Sequence, residues 1–251
     1  MINFFNTYYS PNNACLVVVG DFEPDSAKEM INKYFSEIPS VVKPPEPDLT
    51  EPVQEKEKIF SKTDSLATNP ALAFSYHIPE KGSPDYWAMG LLDQILLQGE
   101  DSKLYHELVK VKGLSGSIDG GINVALGNMY NYKGPMLWTG YLFYDNVISS
   151  DTIISVIDKV IEEIRQKPVD KAVLDRAIVK LRSAFYNDVD DFFGAGRADF
   201  LACFALYNDN PEMINSIEEN FKSVDPELIM KTAERFLRPE NRTILTILPK
   251  K

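Results

Sequence analysis

His77 and His106 are the only imidazoles in the chain, and they bound the metal and acid–base chemistry open to it. A protein zinc site gathers at least three donors close together, often two His a turn apart on one helix. These two stand far apart in sequence, and only His106 has a carboxylate beside it, Glu107. Without a third ligand they make neither a closed nor an open zinc site. The expectation is a strand-end residue for His77 and a helix-surface residue for His106. Asp188, Asp190 and Asp191 cluster ahead of Phe192-Phe193-Gly194 but lack the spacing and closing Glu of a calcium loop, so a solvated helix end is expected. Gly116, Gly120 and Gly121 do not form a dinucleotide fingerprint. Gly113-Leu114-Ser115-Gly116 has the wrong spacing for a nucleophile elbow. Cys15 and Cys203 sit in apolar runs and read as small buried hydrophobes, with a disulfide between them left open. The aromatics Tyr130, Tyr132, Trp138, Tyr141, Phe143 and Tyr144 remain. They either pack in the core and on a sheet, or line a chamber that receives peptide.

Composition narrows the classes further. The chain has 251 residues, 44% hydrophobic and 25% charged, an ordinary globular balance. A formal net charge of −11 argues against nucleic acid, whose phosphates would be repelled. No apolar run reaches the ~20 residues of a membrane helix, and no signal-peptide pattern stands at the start. No nucleic-acid or membrane partner is expected.

The elements that must position these residues are legible from periodicity. Ser10-Pro11-Asn12-Asn13 is a turn, and Ala14 to Val19 is a continuous apolar run, expected as a buried strand. Ala27, Met30, Ile31, Tyr34, Phe35 and Ile38 stripe one helix after Pro24, and Pro39 stops it. Prolines 44, 45, 47 and 52 among acidic residues read as an extended linker. Beyond it, Glu55–Ser61 and Ala71–Ile78 are expected strands. A helix opens at Ser83-Pro84 and runs to about Gly99, and a shorter one covers about 102–110. Leu114–Val124 and Gly134–Tyr144 are expected strands, with glycines 116, 120, 121 and 127 marking bulges or close backbone approach. Two long helices follow from Ser150, then shorter ones over roughly 194–207 and 211–221. A last helix opens at Asp225-Pro226, and a final strand ends at Leu248. The order predicts an α+β fold, a mainly antiparallel sheet layered with helices.

One pattern occurs twice. Pro11 and Asn13, followed by the apolar run, are echoed by Pro239 and Asn241, followed by Ile244 to Leu248.

The first copy carries a family likeness. Tyr8-Tyr9-Ser10-Pro11-Asn12-Asn13-Ala14 through Val19-Gly20-Asp21-Phe22, then an amphipathic helix and Ile38-Pro39, resembles the pitrilysin/insulinase family of zinc metallopeptidases. The closer likeness is to the branch of the mitochondrial processing peptidase and its bacterial relatives. Ser102-Lys103-Leu104-Tyr105-His106-Glu107-Leu108 and Lys112-Gly113-Leu114-Ser115 are similar to that family's second-domain segment. The resemblance covers about Asn3 to Leu248. It implies tandem homologous α+β domains, with the turn-strand motif near the end of each sheet. On it, residues 1–48 are the tail (strand plus helix) of a first peptidase-like domain, 49–55 a Pro-rich linker, and 56–251 a complete second, non-catalytic domain. Residues 1–48 are then left with an open sheet edge and an uncovered apolar helix face.

The resemblance also implies what this chain lacks. Active members carry His-x-x-Glu-His on a helix of the first domain, two His for zinc and a Glu to activate water. No such motif stands here, so the zinc is expected in a first domain outside this chain. Active members also use an Arg and a Tyr toward the substrate carbonyl and oxyanion. Their matching positions are Val109 and Gly116, whose side chains donate no hydrogen bond. The implied site content is therefore no catalytic, no cofactor-binding and no metal residue. The parent is expected to be a zinc metalloendopeptidase with a peptide substrate and a partner half, as a homo- or heterodimer. This chain alone is expected to be inactive. The alternative is a structural or assembly subunit of the same fold, with no peptidase activity in the parent.

Overall fold

The computed structural model describes residues 2–191 and 196–250. In chain order its elements are α1 (Ile2–Tyr8), α2 (Pro24–Phe35), β1 (Lys58–Asp64), β2 (Ala71–His77), α3 (Pro84–Leu96) and α4 (Lys103–Tyr105), continued by one π-helical turn to Val111. There follow β3 (Asp119–Ile122), β4 (Leu137–Phe143), α5 (Ser150–Gln166), α6 (Lys171–Val189), α7 (Gly196–Asn208), α8 (Ile217–Lys222), α9 (Pro226–Phe236) and β5 (Arg242–Pro249). They fall into two compact units, Met1–Leu49 with Asn187–Ile214, and Thr50–Tyr186 with Asn215–Lys251.

In the first unit, α1 ends in a 3-10 turn at Pro11–Asn13. Asn13 Nδ2 donates to Tyr8 O at 2.8 Å, which satisfies a carbonyl at the helix end. Ala14–Val19, expected as a buried strand, runs extended with Leu16, Val18 and Val19 exposed. A strand needs a neighbour for its backbone groups, and none of the five described strands pairs with this segment. Cys15 is exposed for the same reason, contrary to expectation. Cys203 is buried, and neither cysteine forms a disulfide. The α2 helix forms where its periodicity places it, yet Met30, Tyr34 and Phe35 remain exposed. Residues 194 and 195, the expected start of α7, lie outside the described residues.

The second unit holds a five-stranded sheet in the order β1-β5-β2-β4-β3. Only β1 and β5 run parallel; β5 with β2, β2 with β4, and β4 with β3 are antiparallel. Leu72, Phe74 and Tyr76 of β2 and Trp138 and Leu142 of β4 are buried on one face, in a core shared with Leu91, Leu92 and Leu96 of α3. The helix α9 packs against both α3 and α5. Two of them start as their sequences dictate: Ser83 Oγ accepts from Tyr86 N at 3.2 Å, and Asp225 Oδ1 from Leu228 N at 2.7 Å, each before a proline at the first turn.

The second Pro-x-Asn turn repeats the first in hydrogen bonding as well as in sequence. After Pro239–Asn241, Asn241 Nδ2 donates to Phe236 O at 2.7 Å, at the end of α9. It also donates to His77 O at 2.8 Å and so ties α9 to the end of β2. Asn241 is buried, and Asn241→Ala strands two carbonyls. The expected loss is about 1–3 kcal/mol, read as a lower urea midpoint in tryptophan fluorescence. Trp87 and Trp138, the only tryptophans, both report on this unit.

One expected strand shifts and two shorten. The first covers Lys58–Asp64 rather than Glu55–Ser61, that expected over Gly134–Tyr144 is trimmed to Leu137–Phe143, and that expected over 114–124 contracts to Asp119–Ile122. The glycines explain the contraction. Gly113 sits at φ +58 and ends the π turn, and the following loop touches β4's end through one bridge, Ser115 to Tyr144. Gly120 lies at φ +148, where an added Cβ would fall 2.0 Å from Thr139 O, so only glycine brings β3 this close to β4.

Candidate functional site

Register sorts the side chains of the sheet into two faces. Directly paired residues share a face, and faces alternate along each strand. Leu72, Phe74, Tyr76, Trp138, Leu142 and Ile244 occupy the buried face, under the helices. The opposite face is not buried. One of its rows is Lys62–Ile247–Ala71–Phe143, the next is Phe60–Leu245–Ala73–Tyr141–Asp119, and the third is Lys58–Thr243–Ser75–Thr139–Gly121. His77 and Leu137 end it. Between Lys62 at one edge and Asp119 at the other the first two rows are apolar and reach solvent, with Phe60 53%, Tyr141 39% and Phe143 60% exposed. The third carries hydroxyls, with Ser75 Oγ and Thr139 Oγ1 hydrogen-bonded at 2.8 Å. A flat apolar face bounded by hydroxyls suits an extended peptide, whose alternate side chains lie on it.

The six aromatics divide between the two options left open by sequence. Tyr130, Tyr132, Trp138 and Tyr144 are buried, while Tyr141 and Phe143 stand on the open face. The histidines stay apart. His77 closes β2 with Nδ1 3.6 Å from Glu51 Oε2, and His106 begins the π turn exposed, Nδ1 3.4 Å from Glu107 Oε1. Among the described residues, no three His, Cys, Asp or Glu side chains gather as a metal site would require. The donors present do not fit a zinc ion. Asp190 pairs with Arg197 at 3.7 Å, and burial and then Asp191 push the Asp188 carboxyl up, without a third acidic partner gathered around an ion. Val109 is half-buried in the π turn, and Gly116 lies in a cleft of about 360 Å³ formed by Gly113–Ser117 against Phe143 and Tyr144. Nothing lies within 4 Å of the position a Gly116 Cβ would take.

Two buried charges hold the sheet from the helix side, and sequence reasoning missed both. Arg242, at the start of β5, is 4% exposed; its Nε donates to Glu57 Oε1 at 2.7 Å, and its Nη1 to Asp158 and to Tyr76 Oη. Asp93 on α3 accepts from Trp138 Nε1 at 2.7 Å and from Gln98 Nε2, which donates onward to Gly120 O at 3.0 Å. Burial pushes the Asp93 carboxyl up to about 6, against the lowering effect of Trp138, Gln98 and Lys180.

Comparison with known proteins places this architecture. The model of the peptidase M16 inactive domain matches residues 1–181, more than half of the chain. This chain belongs to that family. Over 248 residues it is 19% identical to the zinc protease PqqE of Helicobacter pylori, covering 98% of this chain and 54% of that protein. It spans about half the length of that curated relative. Among solved structures, a protease from Helicobacter pylori superposes with a TM-score of 0.87 at 18% identity, over 99% of this chain and 58% of that one. A peptidase M16 inactive domain from Pseudomonas fluorescens superposes with a TM-score of 0.81 at 17% identity, over 100% and 57%. The M16 inactive-domain fold is the α+β arrangement expected from sequence. No helix among the described residues is long and apolar enough to cross a membrane.

Proposed function

We propose that this chain is the non-catalytic part of a zinc metallopeptidase of the M16 family, and that it binds unfolded peptide on its open sheet face. In the parent that face is one wall of a peptide-binding chamber, and zinc and the water-activating Glu come from elsewhere. The observation that carries this reading is the uncovered pair of apolar rows around Phe60, Leu245, Tyr141 and Phe143 on an otherwise helix-backed sheet. The family membership and the missing His-x-x-Glu-His support it. The chain also packs against a partner half. That part rests on the exposed Met30, Tyr34 and Phe35 of α2 and on Leu16, Val18 and Val19, too many apolar groups to stay in water.

Replacing Phe60, Tyr141 and Phe143 together by serine should weaken binding of an unfolded apolar peptide by at least about tenfold, measured by fluorescence anisotropy. The same variant should stay folded with only a modest loss of stability, because Phe60 and Phe143 are more than half exposed and Tyr141 is partly so. After dialysis the chain should retain no stoichiometric zinc and should leave the peptide intact. Equal affinity in the serine variant, or saturable hydrolysis by the chain alone, contradicts the proposal. A purely structural subunit would bind no peptide in either form.

A further inference from the structure

The open face changes character at one end. Lys58, Thr243, Ser75 and Thr139 form its third row, and His77 stands beyond them on the same face. Here the sheet runs out, and a cavity of about 600 Å³ opens, walled by Pro52, Pro135 and Met136 and lined by Lys58, Ser75, His77 and Thr243. A second cavity of about 230 Å³ shares His77 and the proline walls and reaches Arg235 and Arg238. Arg235 is held by Asp85 at 2.6 Å. Lys58 and Arg238 have no ion-pair partner among the described residues. The one carboxylate lining these cavities is Glu51, against His77. In a chain of net charge −11, this is a local excess of positive charge. Its floor is fixed: buried Gln54 donates through Nε2 to Arg242 O at 2.7 Å and accepts from Thr243 Oγ1 at 3.4 Å, and Asn241 holds His77 O.

We propose that this pocket takes the C-terminal carboxylate of the peptide bound on the open face, with Lys58 and Arg238 as the cationic side and Ser75 as a hydroxyl donor. The inference rests on the peptide-wall reading and adds a direction to it. From Ala71 to His77 the face spans about 20 Å, which seats some six extended residues. Their apolar side chains lie on the Phe143 and Tyr141 rows and the chain ends in the pocket. A terminus is assigned rather than an internal acidic side chain because the pocket lies where β2 and β4 end, in line with a peptide running along the face. Glu51 Oε2 lies 3.6 Å from His77 Nδ1, so it competes with an incoming carboxylate.

Three fluorescein-labelled apolar octapeptides of one sequence test this on the intact chain. One ends in a free carboxylate, one in an amide, and one in an amide after a final Glu. The free acid should bind about five- to tenfold tighter than the amide. Lys58→Gln should erase most of that difference, and Glu51→Gln should widen it. Equal binding of acid and amide to the wild-type chain overturns the pocket and leaves the wall intact. Equal binding of the acid and the Glu-amide overturns the assignment to a terminus. Failure of all three to bind removes the wall reading, and the pocket with it.

Discussion

Replacing Arg242 by methionine should lower the stability of the sheet unit by about 3 kcal/mol, the low end for breaking a buried ion pair. The substitution keeps an unbranched apolar stem and removes the guanidinium with its charge and donors. Glu57 and Asp158 then face each other's surroundings without a cation, and the buried Tyr76 hydroxyl loses its donor. Because both carboxylates reach solvent, water recovers part of the loss, which is why the low end is expected. Lysine should not rescue the site. Its single ammonium cannot serve Glu57 from one edge and Asp158 from another, as the guanidinium fork does. Adding Glu57→Gln and Asp158→Asn to Arg242→Met should restore a good part of the stability, since no uncompensated charge remains. Urea midpoints from tryptophan fluorescence measure all four proteins. An Arg242→Met midpoint equal to wild type would show that the network contributes nothing to folding.

Stability should also fall as pH rises from 5 to 7.5, by about 1.4 kcal/mol from Asp93 alone, nearly half of the ~3 kcal/mol that separates pH below 3.8 from pH above 6. Its carboxyl ionises at the ordinary 3.8 in the unfolded chain and at about 6 in the folded one. Below 3.8 both states hold the proton and the burial penalty is absent. Between the two values only the native state holds it, and above 6 the full penalty applies. Carboxylates whose ionisation is favoured in the fold, such as Asp101 beside Lys180, act in the opposite sense but titrate below this window. Asp93→Asn should therefore flatten the pH dependence between 5 and 7.5. Because Trp138 donates to this carboxylate, its fluorescence should titrate in the same window and stop doing so in the variant. An unchanged slope in Asp93→Asn would place the titration on another group.

The helices were legible because their apolar residues recur at helical spacing and their first turns carry Ser83-Pro84 and Asp225-Pro226. The strands of the sheet centre were legible from alternation and β-branched or aromatic content. What failed was context. Ala14–Val19 has the composition of a buried strand, but a strand exists only with a partner, and composition names none. The span 114–124 looked like one strand because its glycines do not announce how sharply the backbone turns at Gly113. The open face was half legible: the aromatic cluster was visible, but only register separates Tyr141 and Phe143 from Trp138 and Tyr144. Arg242 did leave a sign. In the repeated motif it stands where Ala14 stands, a charge heading an otherwise apolar strand, which in hindsight marks a buried ion-pair partner. Asp93 left none, since a lone Asp in an apolar helix stripe does not reveal the indole it meets between helix and sheet.

The central claim, that peptide lies on the open face, is tested most directly by methyl NMR of the chain labelled at isoleucine and leucine. Titration with an extended apolar peptide should shift the methyls of Leu137, Leu245 and Ile247 and leave Leu72, Leu142 and Ile244 on the helix-covered face unmoved. No shifts at saturating peptide, or shifts confined to the helix-covered face, would contradict it.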